Sequence, residues 1–280
     1  MTENTLSRRR LLSTGLAAFA LLNTAACTEK EPAGEKTDGA AEMLRAATTD
    51  LTGATTAVHW TGSFPSASPN RSGAYTADVA VAGTGALLGT LVFSGQTAEV
   101  MSLAGHTMLR AGNLFWSHGG ADASRLGHFR GRWIVMHPGY LGFDLAARLQ
   151  PAALLGGTAP GAAVTSGATT AEGSEVRWQD VTYLVAADRS GLVRVTTAGT
   201  AESPARLDLR PAALGDDDRA ELFSRLRVEA VQLLEARGFG TTKDFAGQVP
   251  PAFTGDELSA IVADLDRDRA ALRASATIPS

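Results

Sequence analysis

The residue with the most committed chemistry in this chain is its single cysteine, Cys27, which follows Thr24-Ala25-Ala26. A lone thiol cannot close an internal disulfide. Ahead of it stand Ser7-Arg8-Arg9-Arg10-Leu11-Leu12 and an apolar run from Gly15 to Leu22, the basic and hydrophobic regions of an export signal, with the small residues forming a cleavage site. The chemistry expected of Cys27 is thioether attachment of diacylglycerol, which would leave a lipid-anchored first residue on the extracytoplasmic face of the cell membrane. Cleavage without lipidation, giving a secreted protein, is the alternative, since Thr24 stands where leucine is commonest in such sites. Arg8 and Arg9 after Ser7 resemble the twin-arginine export motif, but Ser13 replaces the usual trailing lysine, so twin-arginine and general secretory export both stay open. The apolar run is too short to span a bilayer as a mature helix.

Other reactive side chains form no catalytic pattern. His59, His106, His118, His128 and His137 have no spacing that puts two ligands on one helical turn, and no metal site is expected from them. Asp264, Asp266 and Asp268 imitate the opening of a calcium loop without its glycine and distal glutamate, and read as a solvated helix face. Gly83-Thr-Gly85 with Gly89 is mis-spaced for a dinucleotide site, and no Gly-x-Ser-x-Gly elbow occurs. No enzyme activity and no cofactor are expected; a hydrolase with an unrecognised site is the weakest of the readings.

The elements that surround these residues follow from composition and periodicity. Without residues 1–26 the chain carries 22 basic and 28 acidic side chains, a net charge of −6 that argues against a nucleic-acid partner. Residues 27–40 then read as the lipidated cysteine and a flexible tether, too poor in large apolar side chains to order themselves, with a reach on the order of 20 Å. Residues 41–212 read as the main domain. Ala41, Leu44, Ala47 and Leu51 recur at helical spacing; alternating β-branched and aromatic residues then predict strands over 55–61, 74–82, 87–94, 98–103 and 107–110, with a hairpin turn at Ala104-Gly105. Phe115-Trp116 and Trp133-Ile134-Val135 add apolar nuclei, 144–155 is helical in spacing despite Pro151, and 156–173 reads as a loop of small residues. A second strand block covers 175–187, 191–197 and 205–209, with its turn at Asp188-Arg189-Ser190-Gly191. Residues 213–280 change to helix: one opened by Asp216-Asp217-Asp218 and ending near Gly238, another opened by the capping box Thr254-Gly-Asp-Glu257 and carrying Leu258, Ile261, Val262 and Leu265.

Three segments together resemble the LppX/LprG-type lipoproteins of actinobacteria, relatives in fold of the LolA/LolB lipoprotein carriers. They are AEMLRAATTDLTGATTAVHW from Ala41 to Trp60, the hairpin Ala104 to Trp116 followed by Gly131-Arg132-Trp133-Ile134-Val135, and YLVAADRSGLVRV from Tyr183 to Val195. The helical region after Asp208 departs from that family. The resemblance implies an α+β fold in which a curled antiparallel sheet, a half-barrel, wraps around helices, here with two additional C-terminal helices. It also implies an apolar interior that holds the acyl chains of a lipid or glycolipid, and Val58, Trp60, Leu91, Phe93, Trp133 and Val135 are the candidates for its wall. The competing expectation is an envelope scaffold or sensor with a solid core, which docks a protein partner through the surface of Leu222, Leu226, Leu233 and Leu234.

Overall fold

A strand whose side chains alternate has two faces to cover, and the described residues of this chain make eleven strands. The computed structural model describes residues 33–52, 56–66, 72–118, 123–136, 138–141, 143–199, 206–235 and 254–276. The export segment, Cys27 and the start of the expected tether lie outside the described residues.

The first meander comprises β1 (Ala57–Pro65), β2 (Ala74–Ala82), β3 (Leu87–Phe93), β4 (Gln96–Leu103) and β5 (His106–Ala111), with the short β6 (Ile134–Val135) at its edge. Ala104 and Gly105 both take positive φ, 47° and 79°, the backbone of the primed hairpin turn that their sequence predicts. The second meander comprises β7 (Thr165–Thr169), β8 (Gly173–Trp178), β9 (Val181–Ala186), β10 (Leu192–Thr197) and β11 (Asp208–Ala213). β1 joins the two, pairing with β2 on one side and β11 on the other, from Val58 opposite Ala213 to Ser63 opposite Asp208. The sheet stays open, with β6 and β7 as its edges. The protein is therefore α+β: a curled antiparallel half-barrel wrapped around helices, with two further helices at the C-terminal end.

Alternation divides the sheet into an inner and an outer face. On the inner face Val58, Trp60, Phe64, Tyr75, Val79, Leu91, Val100 and Leu109 form the larger core with α1 (Ala33–Ala47), α2 (Asn113–His118), α3 (Leu126–Phe129), α4 (Leu145–Leu149) and α5 (Pro151–Leu154). On the outer face Ala57, Ala82, Leu88, Met101, Leu103 and Met108 are covered by α6 (Asp216–Glu235) and α7 (Gly255–Ala276) through Leu222, Phe223, Leu226, Leu258 and Leu265. Thr254 caps α7 as expected: its Oγ1 accepts from the Glu257 N–H at 3.2 Å, and Glu257 Oε2 accepts from the Thr254 N–H at 2.7 Å.

Four local differences from the sequence expectation have physical causes. α1 begins at Ala33, inside the expected tether, because a segment poor in apolar residues can still be rich in helix formers such as Ala, Glu and Lys. The 144–155 helix divides at Gln150, since Pro151 lacks the N–H that a continuous helix needs and instead starts α5. The 156–173 loop contains β7, whose Thr-Ser-Gly-Ala-Thr has no large side chain to reveal it. The 175–187 block is two strands, turned at Gln179 with φ 51°.

Gly62 is where the junction of the meanders is tightest, because a Cβ there would collide with the Asp208 carbonyl of β11. Gly62→Ala is expected to destabilise the protein by about 3 kcal/mol through forced separation of β1 and β11. Gly112→Ala, where a Cβ meets open space, should be close to neutral. Urea denaturation of the two variants checks the contrast.

Candidate functional site

The six candidate wall residues divide between the two faces. Val58, Trp60, Leu91 and Phe93 lie together on the inner face, each in the larger core. Trp133 and Val135 lie on the outer face under α6 and α7. The reason is register: β6 pairs Val135 with Met108 and Ile134 with Leu109, so Ile134 is the residue of this segment that faces inward. Trp133 and Val135 share a face, as residues two apart on a strand must, but it is the outer one.

Inside, a band of aromatic rings crosses one end of the sheet. Phe93 stacks on Tyr75 at 4.6 Å between centroids, Tyr75 on Phe64 at 5.2 Å, and Phe143 meets Phe64 edge-on at 5.1 Å. Trp60 lies on this face with none of its surface exposed, and its indole N–H has no hydrogen-bond partner among the described residues. Two other aromatic polar groups facing inward are satisfied. Trp116 donates to the Ala111 carbonyl at 3.1 Å; Tyr183 donates to the Leu154 carbonyl at 2.8 Å, and burial pushes its phenol up to about 12. Val58 and Leu91 are likewise wholly covered, so the interior is filled by side chains where these residues stand.

A depression of about 470 Å³ opens beside α1, lined by Gly39, Ala40, Glu42, Met43, Ala46, Ser166 of β7 and Arg189. Ala40 belongs to the inner core and Met43 packs against it, so the floor of this depression is the margin of that core. Its volume is in the range of small-ligand sites. Sequence reasoning missed it because Gly39 and Ala40 of its lining come from the expected tether and Ser166 from the unrecognised strand.

The outer face carries the polar geometry. Arg110 of β5 is gripped by Glu99 of β4, at 2.6 and 2.9 Å, and by Glu229 of α6, at 3.2 and 2.9 Å. Trp133 donates its indole N–H to the same Glu229 at 2.7 Å, and the Arg110 guanidinium lies 4.4 Å from the centre of its ring. The hydrogen bonds from Arg110 hold the Glu99 carboxyl below the usual carboxylate range, and the bond to Glu99 raises Arg110. Nothing in the sequence marks this cluster, since Arg110 and Glu229 are 119 residues apart. Beside it a cleft of about 340 Å³ between the sheet and α6 holds His59 and Asp78, bonded at 2.7 Å, with Asp218, Glu221 and Arg225 at its rim.

The remaining candidates are accounted for by position. His118 and His128 are exposed, and His137 lies outside the described residues. Asp264 and Asp266 are on α7, within reach of Arg267 at 2.8 Å and Arg227 at 2.5 Å respectively. Among the described residues no three His, Cys, Asp or Glu side chains converge on a metal-sized site, and no helix is long and apolar enough to cross a membrane. Of Leu222, Leu226, Leu233 and Leu234, expected as a docking surface, the first three are buried in the outer core, so the sheet already occupies them, and the Leu234 side chain lies outside the described residues. No protein-family model matches the chain, and no curated protein matches it.

The clamp has a pH signature whose sign follows from Glu99. A carboxyl held low in the folded state contributes stability above its unfolded pKa and loses it as pH falls through the folded one. Glu99→Gln should therefore lower Tm at neutral pH and show a shallower acid dependence. The gap between the two proteins should shrink as pH falls below about 4, where the unfolded carboxylate protonates. Thermal melts from neutral to acid pH check this.

Proposed function

We propose that this chain is a cell-envelope lipoprotein, exported by its N-terminal signal and anchored through Cys27, whose half-barrel binds or carries an amphiphilic lipid or glycolipid in its apolar interior. The observation that carries the reading is the depression beside α1, whose floor is the margin of the inner core. An acyl chain admitted there would leave water for a surface already apolar, gaining about 0.8 kcal/mol per buried methylene. The unpartnered Trp60 N–H is a donor in a place where an ester or hydroxyl oxygen of such a ligand would satisfy it.

Admission requires the helices to move, because the wall is covered as it stands. The cover is suited to movement. α2, α3, α4 and α5 have six, four, five and four residues. Helices this short have little stability of their own, below the ~12 residues at which an isolated helix becomes marginal. Trp116, Arg148 and the Leu154 carbonyl tie α2, α4 and α5 at single points; the rest of their hold is packing, which a ligand can replace. The resemblance to LppX/LprG-type lipoproteins points the same way. The mechanism is passive, with no catalytic residue and no cofactor.

The second reading, a non-enzymatic scaffold with a solid core, is favoured by the complete burial of Val58, Trp60 and Leu91. One experiment separates the two. Residues 28–280, purified natively and extracted with organic solvent, are expected to yield a defined lipid near about one per protein, measured by mass spectrometry. Ala46→Trp together with Met43→Trp, which fill the depression from α1, should reduce retained lipid about ten-fold, with thermal melts establishing that the fold is intact. A protein that stays free of lipid after incubation with native membranes would overturn the carrier reading and leave the scaffold.

A further inference from the structure

We propose that the α2–α3 end of the sheet is a docking surface for an anionic lipid bilayer. The inference is independent of whether the interior holds a ligand.

Charge and exposure carry it together. The chain as a whole is acidic, with a net charge of −4, but the segment from Gly112 to Arg132 reverses that sign: Arg125, Arg130 and Arg132 stand against one acid, Asp122. The same segment holds Leu114, which at 60% exposure is the most exposed of the large apolar side chains among the described residues. A single exposed leucine is ordinary. One set beside the exposed Arg130 and Arg132 is the composition of a membrane-surface anchor, where cations meet lipid phosphates and an apolar residue enters the acyl boundary.

The fold brings these residues to one place. Arg130 bridges to Ala111 at the end of β5, the Gly131 N–H donates to the Ala111 carbonyl at 3.1 Å, and α2 begins two residues later at Asn113. Phe115, Trp116 and Phe129 turn inward, with Trp116 and Phe129 rings 5.3 Å apart, which locks α2 to α3. The residues between them are thereby left facing solvent: Leu114, His118, His128, Arg130 and Arg132 are all outside the core. Among the described residues no carboxylate pairs with Arg130 or Arg132. By contrast Arg110, Arg148, Arg177, Arg194 and Arg227 each meet one.

The test is co-sedimentation of residues 28–280, which retain both cores, with vesicles of phosphatidylcholine alone or of phosphatidylcholine mixed with phosphatidylglycerol. Binding is expected to the mixed vesicles alone and to weaken as salt is raised. Each arginine near such a surface contributes about five-fold in partitioning, so R130E/R132E should lower binding about 25-fold or more. R130K/R132K should retain it, Leu114→Asp should weaken it, and Val228→Asp, at an exposed apolar position on α6, should leave it unchanged. Thermal melts establish that each variant folds. Equal binding to both vesicle types, no binding to either, or binding that survives R130E/R132E would overturn the proposal.

Discussion

Everything in this molecule depends on β1 having a partner on each side. Its pairing with β2 is between neighbours in the chain, but its pairing with β11 joins residues about 150 positions apart, Val58 with Ala213 and Ser63 with Asp208. Without that second ladder the two meanders would be separate sheets with exposed edges and half-covered faces. Gly62 permits the approach, and the neighbouring strand explains why Pro211 is tolerated. β10 pairs with β11 only at Asp208 and Leu209, so beyond Leu209 β11 has no ladder on that side to break.

Once the sheet is continuous, alternation sets the rest. A sheet apolar on both faces needs two covers, and the chain supplies different kinds. The inner cover is α1 and four short helices, each held by the side chains it buries: Phe115 and Trp116 on α2, Phe129 on α3, Leu145 and Leu149 on α4. The outer cover is a pair of long helices fastened at a defined point. There the Arg110 fork takes Glu99 on one side and Glu229 on the other, while Trp133 closes over it. A guanidinium with both partners and a buried ring is a positional device, since its planar fork accepts few geometries. The inner cover is tied at its α4–α5 end instead, by Arg148 to Asp180 and by Tyr183 to the Leu154 carbonyl, and it is the side on which a ligand is proposed to enter.

Much of the fold was legible because alternation is a local signal. Strand β2 has the predicted limits, the Ala104-Gly105 turn has the predicted backbone, and the Thr254 capping box forms the predicted bonds. Strand β7 was not legible, because Thr-Ser-Gly-Ala-Thr is equally at home in a loop and becomes a strand through its ladder to β8. The candidate site was half legible. Val58, Trp60, Leu91 and Phe93 share a face as their apolar character suggested, but apolar character alone does not say which face, and Trp133 and Val135 belong to the other.

The sequence by itself determined most of the strands, the long helices, and that the two C-terminal helices each have an apolar stripe, for these follow from side-chain periodicity and capping. Only the tertiary structure decided where the stripes go. Leu222, Leu226 and Leu233 suit a partner protein as well as a sheet, and it is the outer face of β3, β4 and β5 that takes them. The Arg110 clamp and the depression beside α1 were also decided there. Each is a meeting of segments far apart in the chain, and periodicity carries no information about such distances.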